Sequence, residues 1–489
     1  MGKTIASLFE PTIELDEQVM TDYSYGSAGI DPSAYPANEF RGVDFPHINV
    51  NDYTFGAEEI MKFNIDCTGI VPKVFIKVVL ATSGEFLSKS MPMDGDIVSV
   101  YVRGKDDLFK PIRNDYLITS VSTMATQDTS AEGAGSIISI EGDLNIPGLY
   151  DETIFSEQGT SFEVMKKLAE QMGLGFATNE DNTDDEMNWI CANDTKLEFM
   201  KHVTGAAWKD ETSFFTFFID MYYHLNFVNV NDLITYDAST LLALAENTMS
   251  GGQYGEEETG KGLMEKCFTN HSNQRSSNFY VNNFKPINNS SQISKNYGYA
   301  LNTIFYDHIG KEEWQLQAKS LVTEGAESQK VLLRGRANDD SYNNQQKYNY
   351  VGIQYNHSEL ENSNVHENFY FARAHNMMNN LEMDKVNLEV KINKFNLNIY
   401  RYENVPAIFF VTSDIKRMKE LSDDEEQVDP TSDDPETVPI AVDRVYTGHY
   451  LVKGLTIVFS PTGQESPQDS GITETLVLSR REWPSPSGV

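Results

Sequence analysis

Tryptophan is scarce in this 489-residue chain, at four positions, and cysteine is scarcer, at three. Cys67, Cys191 and Cys267 stand far apart and are odd in number, so neither a disulfide framework nor a zinc-ligand spacing emerges. A reducing site of synthesis fits that pattern. The N-terminus is without the basic stretch and apolar core of a secretory signal, so none is expected to direct the chain. Long apolar runs are missing too. The most apolar stretch, Phe214 to Val230, is interrupted by Asp220, His224 and Asn226, which argues against a membrane span. Basic residues are outnumbered, with 38 Lys and Arg against 73 Asp and Glu and a net charge of −35. Such a surface repels phosphates, which excludes binding nucleic acid through its backbone, and it suits solubility.

Hydrophobic residues make up 40% and aromatics 11% of the chain, enough for several packed cores. The length allows about three or four domains. Residues 1–57 read as an extended N-terminal arm rich in Gly, Pro, Ser and Asn, of the kind that wraps a neighbour or stays loose. Residues 58–155 read as a β domain. Val98, Val100 and Val102 alternate with Ser99, Tyr101 and Arg103, and further runs cover Val74–Leu80, Tyr116–Val121 and Ile137–Glu141. Residues 156–235 form a small α/β domain. Thr160 with Glu163, and Thr195 with Glu198, each spell a capping box ahead of a helix. Strands Phe214–Asp220 and Tyr223–Val230 follow. Residues 236–380 are polar and Asn-rich and read as mixed strands and loops that include part of the second β domain and an insertion. Residues 381–482 return to β character, with Val386, Leu388, Val390 and Ile392 alternating and Phe395, Leu397 and Ile399 continuing the period. Ala407–Val411, Tyr450–Phe459 and Thr475–Leu478 supply further strands. Residues 483–489 are a Pro/Ser/Gly tail.

The two β regions repeat one order of parts. Asp115-Tyr116-Leu117-Ile118 precedes Ile137–Glu141, and His449-Tyr450-Leu451-Val452 precedes Glu474–Leu478. Tyr116 lies 24 positions before Ile140, and Tyr450 lies 26 before Leu476. The preceding strand starts near Ile97 in one and Ala407 in the other. The larger second gap is filled by an acidic segment of 22 residues, Lys419 to Ile440, which reads as a solvated loop.

Motifs for chemistry are few. Gly255 to Gly262 has the GxxxxGK spacing of a phosphate loop, but Gly262 stands where a magnesium-binding hydroxyl belongs and three glutamates precede it. Glu180, Asp181, Asp184 and Asp185 gather in one segment without calcium-loop spacing, and read as a solvated loop. His357, His366 and His375 lie nine apart, which fits no zinc site; His224 and His449 read as core or interface residues. The sequence therefore names no catalytic residue, no cofactor and no metal. Carboxylate pairs for glycoside hydrolysis remain open, because their separation is not legible.

The segment Gly159–Leu233 resembles the central baseplate hub family of contractile-tailed bacteriophages, which is related to the hub part of type VI secretion spike proteins. The resemblance rests on Thr160–Met165, Met172-Gly173-Leu174, Asn188-Trp189-Ile190, Phe218-Ile219-Asp220, Tyr222-Tyr223 and Leu225–Val228. Thr447–Leu455 looks like the closing strand of that family's second barrel, and Asp94–Ile97 like the start of a strand in its first. The resemblance implies a fold that is mainly β with α+β insertions: two tail-tube-like antiparallel β-barrels plus smaller α/β domains. It implies a non-enzymatic homotrimer that adapts a hexameric tail tube to a trimeric spike and contacts neighbouring baseplate proteins. DNA would pass without specific binding, and no stable membrane insertion is expected. Tyr222, Tyr223 and Phe227 are the interface candidates, with core packing the alternative for them. Other readings are a tail-associated polysaccharide- or peptidoglycan-degrading enzyme, another tail protein (tube or wedge), and a carbohydrate-binding adhesin.

Overall fold

A computed structural model describes residues 4–13, most of 46–102, 112–125, 136–234, the elements between 263 and 384, and 386–392, 399–411, 443–460 and 471–480 with single gaps. Residues 419–440, the 255–262 segment, His357, Phe395 and Leu397 lie outside the described residues.

In chain order, β1 (Ala6–Phe9) is followed by β2 (His47–Val50), β3 (Tyr53–Thr54), β4 (Ile60–Asp66), β5 (Lys73–Leu80), β6 (Ile97–Val102), β7 (Ile112–Ala125) and β8 (Ser136–Leu144). The next set is β9 (Glu152–Gly159), α1 (Ser161–Gln171), β10 (Gly175–Thr178), β11 (Met187–Thr195), α2 (Lys196–Ala206), β12 (Phe215–Ile219), β13 (His224–Asn229) and α3 (Val230–Ile234). The last set is β14 (Leu263–Glu265), β15 (Phe279–Asn288), β16 (Ala300–Asp307), β17 (Glu312–Ala318), β18 (Gln346–Ile353), α4 (Phe369–Met383), β19 (Val386–Ile392), β20 (Asn404–Ile408), β21 (Gly448–Ser460) and β22 (Gly471–Ser479).

Strand alternation forms the sheets as expected. Val98, Val100 and Val102 are buried while Ser99 and Tyr101 are half-buried, and Leu388, Val390 and Ile392 line the core on β19. Thirteen strands form one sheet in the order β20-β14-β15-β19-β22-β21-β4-β5-β8-β7-β6-β2-β3. Its two halves are one plan used twice. The order β4-β5-β8-β7-β6-β2 in the first half is matched by β15-β19-β22-β21-β20-β14 in the second, strand for strand along the sequence.

Register makes the match specific. Val121, five residues after Tyr116, pairs with Ile140; Leu455, five after Tyr450, pairs with Leu476. The β7–β8 ladder shifts between Ile118 and Ser120, and the β21–β22 ladder shifts between Val452 and Gly454, at the same distance from the two tyrosines. A second irregularity recurs between Ile60 and Lys62 on β4 and between Val281 and Asn283 on β15. Both tyrosines are fully buried with bonded hydroxyls: Tyr116 bonds the Asn114 side chain at 2.9 Å, and Tyr450 donates to the Tyr446 carbonyl.

The repeat corrects some expectations. The counterpart of Ile97 is Asn404, since these pair with Leu117 and Leu451; the strand expected to begin near Ala407 thus starts three residues earlier, at a polar residue. The second half is not purely antiparallel, because β14 runs parallel to both β15 and β20. As β20 also pairs with β21, hydrogen bonding runs around six strands and returns to its start.

The α/β unit carries the sheet β1-β10-β13-β12 and the pair β11–β9. Thr160 caps α1 with the full capping box, whereas Thr195 accepts from the Glu198 amide at the start of α2. Of the segment expected as an arm, the described strands pair within the chain: β1 lies antiparallel on β10, and β2 and β3 extend the first half-sheet. The region expected as strands and loops up to residue 380 contains β16–β18, a separate three-stranded sheet, and then the 15-residue helix α4.

Candidate functional site

The two half-sheets and the α/β unit meet around a cleft of about 590 Å³ lined by Cys67, Asp220, Tyr222, His224, Tyr400 and Arg401 among others. Each group is set there by local chain chemistry. The turn between β12 and β13 is tied by the Asp220 carboxylate. Its Oδ1 accepts from the amides of Tyr222 (2.8 Å) and His224 (2.9 Å), and its Oδ2 accepts from Asn226 Nδ2 (3.1 Å). Tyr223 takes the left-handed backbone at φ 62° to close this turn.

Arg401 crosses between the parts. It precedes β20 in the second half-sheet. Its Nε donates to the Lys453 carbonyl (3.0 Å), and its terminal nitrogens donate to the carbonyls of Gly69 (2.6 Å) and Thr68 (3.5 Å) beyond β4 in the first. The guanidinium lies 4.3 Å from the centroid of Phe218 in the α/β unit. Burial weakens its hold on its proton, but arginine stays charged across the ordinary pH range.

The interface candidates take three different positions. Phe227 is fully buried in β13 and stacks on Phe215 with centroids 5.2 Å apart. Tyr223 is buried and its hydroxyl accepts from the Asp115 amide at 2.9 Å, fastening the α/β unit to β7. Tyr222 lines the cleft opposite Tyr400, with centroids 6.3 Å apart. Burial raises the phenol of each of Tyr222 and Tyr223 well above the ordinary range, so both stay neutral hydroxyls.

Sequence reasoning missed Arg401 and Asp220 as the junction's organisers. A lone arginine after a strand carries no pattern of its own; only its burial identifies it. The Asn179–Glu186 segment is also corrected. Glu180 and Asp185 are buried, not solvated, because donors from distant parts of the chain reach them. Asp185 accepts from the amides of Ser161 and Trp208, each at 2.8 Å, and Glu180 pairs with Lys209 at 2.7 Å and accepts from Asn229 Nδ2 at 2.7 Å. Burial nonetheless raises the Asp185 carboxyl above its usual range.

Chemically, this junction binds parts of the chain to one another. Burial pushes the Cys67 thiol up to about 12, so it is no nucleophile at neutral pH. Among the described residues, no group of His, Cys, Asp or Glu is placed to hold a metal ion. No described helix is long and apolar enough to cross a membrane.

No protein-family model matches the sequence, and no curated protein matches it. Several solved structures are similar to this chain. One is a tail protein from Neisseria meningitidis MC58 (10% identity, TM-score 0.46, covering 90% of this chain and 97% of that one). A 43 kDa prophage tail protein from Shewanella oneidensis is similar at 8% identity and TM-score 0.44, covering 89% of this chain and 98% of that one. An Escherichia coli component of the type VI secretion system, described as structurally similar to T4 bacteriophage tail proteins, is similar at 9% identity and TM-score 0.39, covering 90% of this chain and 79% of its own.

Proposed function

We propose that the chain is the central hub of a contractile phage tail baseplate, a non-enzymatic homotrimer that adapts a hexameric tail tube to a trimeric spike. The observation that carries this reading is the duplicated β unit, matched in strand order, register and both ladder irregularities. A chain holding two like units gives a closed three-fold assembly six like units, which is what a six-fold tube face requires. The motifs resembling the hub family agree with this reading. The duplicated halves serve as two tube-like barrels, and the α/β unit braces them through Arg401 and Tyr223.

A net charge of −35 suits a channel wall along which DNA passes without sticking. Neighbouring baseplate proteins bind the segments that lengthen the chain, namely the N-terminal segment, residues 263–380 and the acidic segment 419–440, and the particle is assembled in the host cytoplasm before residing in the virion tail. Of the three aromatic candidates we favour Tyr222 as the one that meets a partner, since it is half-buried and lines the cleft, whereas Tyr223 and Phe227 are buried.

Light scattering on the purified chain tests the reading. A native mass near three times 55.2 kDa, stable in moderate salt, is expected. A stable monomer that releases sugars from polysaccharide would overturn it in favour of an enzyme.

A further inference from the structure

Strand β12 ends the sheet β1-β10-β13-β12, so one of its edges has no strand beside it among the described residues. Backbone alternation says which residues point there. The Asp220 amide donates to the His224 carbonyl at 3.0 Å, and the Val230 amide donates to the Phe214 carbonyl at 2.9 Å. Phe214, Thr216, Phe218 and Asp220 therefore turn their backbone groups to β13. Phe215, Phe217 and Ile219 turn theirs to the other edge.

Two of these three are answered from elsewhere in the chain. Asn376 Oδ1 accepts from the Phe215 amide at 2.9 Å, and Asn380 Nδ2 donates to the Phe215 carbonyl at 2.9 Å. The Ile219 amide donates to the Ile70 carbonyl at 2.8 Å. Phe217 lies between them and is only 6% exposed, yet neither its amide nor its carbonyl meets a partner among the described residues. Folded chains answer nearly all buried backbone groups, because an unanswered one costs as much as a lost hydrogen bond. The neighbouring end of α2 obeys that rule: Asn376 Nδ2 donates to the carbonyls of Gly205 at 3.2 Å and Ala207 at 2.7 Å.

Phe217 opens on a cleft of about 470 Å³ between β12, α2 and α4, whose walls include Lys201, Gly205, Thr216, Arg373 and Met377. Among the described residues no carboxylate lines it, although the chain carries a net charge of −35. Lys201 already holds Glu198 at 2.6 Å, outside the lining. Arg373, half-buried with its guanidinium 5.9 Å from the centroid of Phe369, is the cation that sets the sign of the cleft.

We propose that this cleft takes a short extended segment of a partner protein that carries an acidic side chain. One residue of the segment exchanges both backbone bonds with Phe217, and its carboxylate reaches Arg373. A strand added at an open edge draws affinity from main-chain bonds and specificity from the side chains around it. Here a single residue of β12 is open, so the segment is gripped at one point and not along a ladder. A carboxylate against a guanidinium makes the stronger, charge-assisted kind of bond. The assignment goes beyond the hub reading and does not depend on it.

Labelled, capped pentapeptides and the full chain test this by fluorescence anisotropy. The probe alternates valine with glutamate and should bind. Glutamine in place of glutamate should weaken binding about tenfold, as should Arg373→Gln in the chain, the worth of a hydrogen bond to a charged group. N-methylation at the central residue of the probe removes the donor for the Phe217 carbonyl and should abolish binding. Gly205→Trp is the blocking variant: a Cβ there meets nothing within 4 Å, so the indole is tolerated and fills the cleft, and binding should be lost. Hydrogen exchange at the Phe217 amide should slow when the probe binds. Failure of the glutamate probe to bind, or binding that survives both Gly205→Trp and Arg373→Gln, would overturn the proposal. A Phe217 amide already protected in the free chain would also overturn it, since the chain would then cover this edge itself. Each of these results leaves the hub reading to be decided by the native mass.

Discussion

The terminal nitrogen of Arg401 donates to the carbonyl of Gly69 at 2.6 Å, across 332 positions of the chain. With Thr68 and Lys453 also contributing carbonyls and Phe218 contributing a ring face, this side chain closes the seam between the duplicated halves. Arg401→Ala would strand buried acceptors. A loss of about 3 kcal/mol in unfolding free energy is expected, and Arg401→Lys should recover only part of it, since an ammonium has no planar fork. Urea denaturation of the two variants measures this.

Asp185 should behave as a structural carboxylate and not as a calcium ligand. Asp185→Ala leaves the Ser161 and Trp208 amides and the Thr183 hydroxyl without their acceptor and should cost about 3 kcal/mol. Chelator or added calcium should leave the wild-type melting temperature unchanged. A rise with calcium would revive the ion-binding reading.

The cap of α1 adjoins that network, since the Thr160 hydroxyl also donates to Asn182 Oδ1 at 2.8 Å. Thr160 Oγ1 accepts from the Glu163 amide at 3.3 Å, and the Glu163 carboxylate accepts from the Thr160 amide at 3.1 Å. Thr160→Ala should lose about 1 kcal/mol without changing the far-ultraviolet spectrum of the folded protein. Differential scanning calorimetry reads the loss.

Buried histidines set an acid limit. Burial holds the imidazoles of His375 and His202 below their ordinary pKa, although Asp210 and Glu211 near the first and Asp194 near the second pull the other way. The unfolded chain therefore binds more protons than the folded one below about pH 6.5, and stability falls as pH drops through that range. The melting temperature should be lower at pH 5.5 than at 7.5. His375→Gln, which keeps a donor for the Ser213 carbonyl, should flatten that slope.

Much of this was legible where the sequence is periodic. Alternation marked β5, β6 and β19, and the two tyrosines located the repeat down to the partner residues Ile140 and Leu476. Helix α4 was hidden because its inward face carries amides. Asn376 donates to the Ala207 carbonyl at 2.7 Å, and Asn380 donates to the Phe215 carbonyl at 2.9 Å. Asparagines that serve backbone carbonyls look, in sequence, like loop residues. The burial of Asp185 and Glu180 was equally silent, since their donors come from distant turns. Arg401 shows the same limit: its partners are set by topology, which no local pattern encodes.

The ladder between β21 and β4 also sets a timetable for biosynthesis. Asp66 and Thr456 lie 390 positions apart, so the first half-sheet leaves the ribosome long before the strand that covers its edge exists. At about 5–20 residues per second, that edge waits for tens of seconds, open to the wrong neighbour. The nascent first half thus passes through an aggregation-prone interval that a chaperone or dense acidic charge would guard, and truncation after the first β unit should yield an insoluble product.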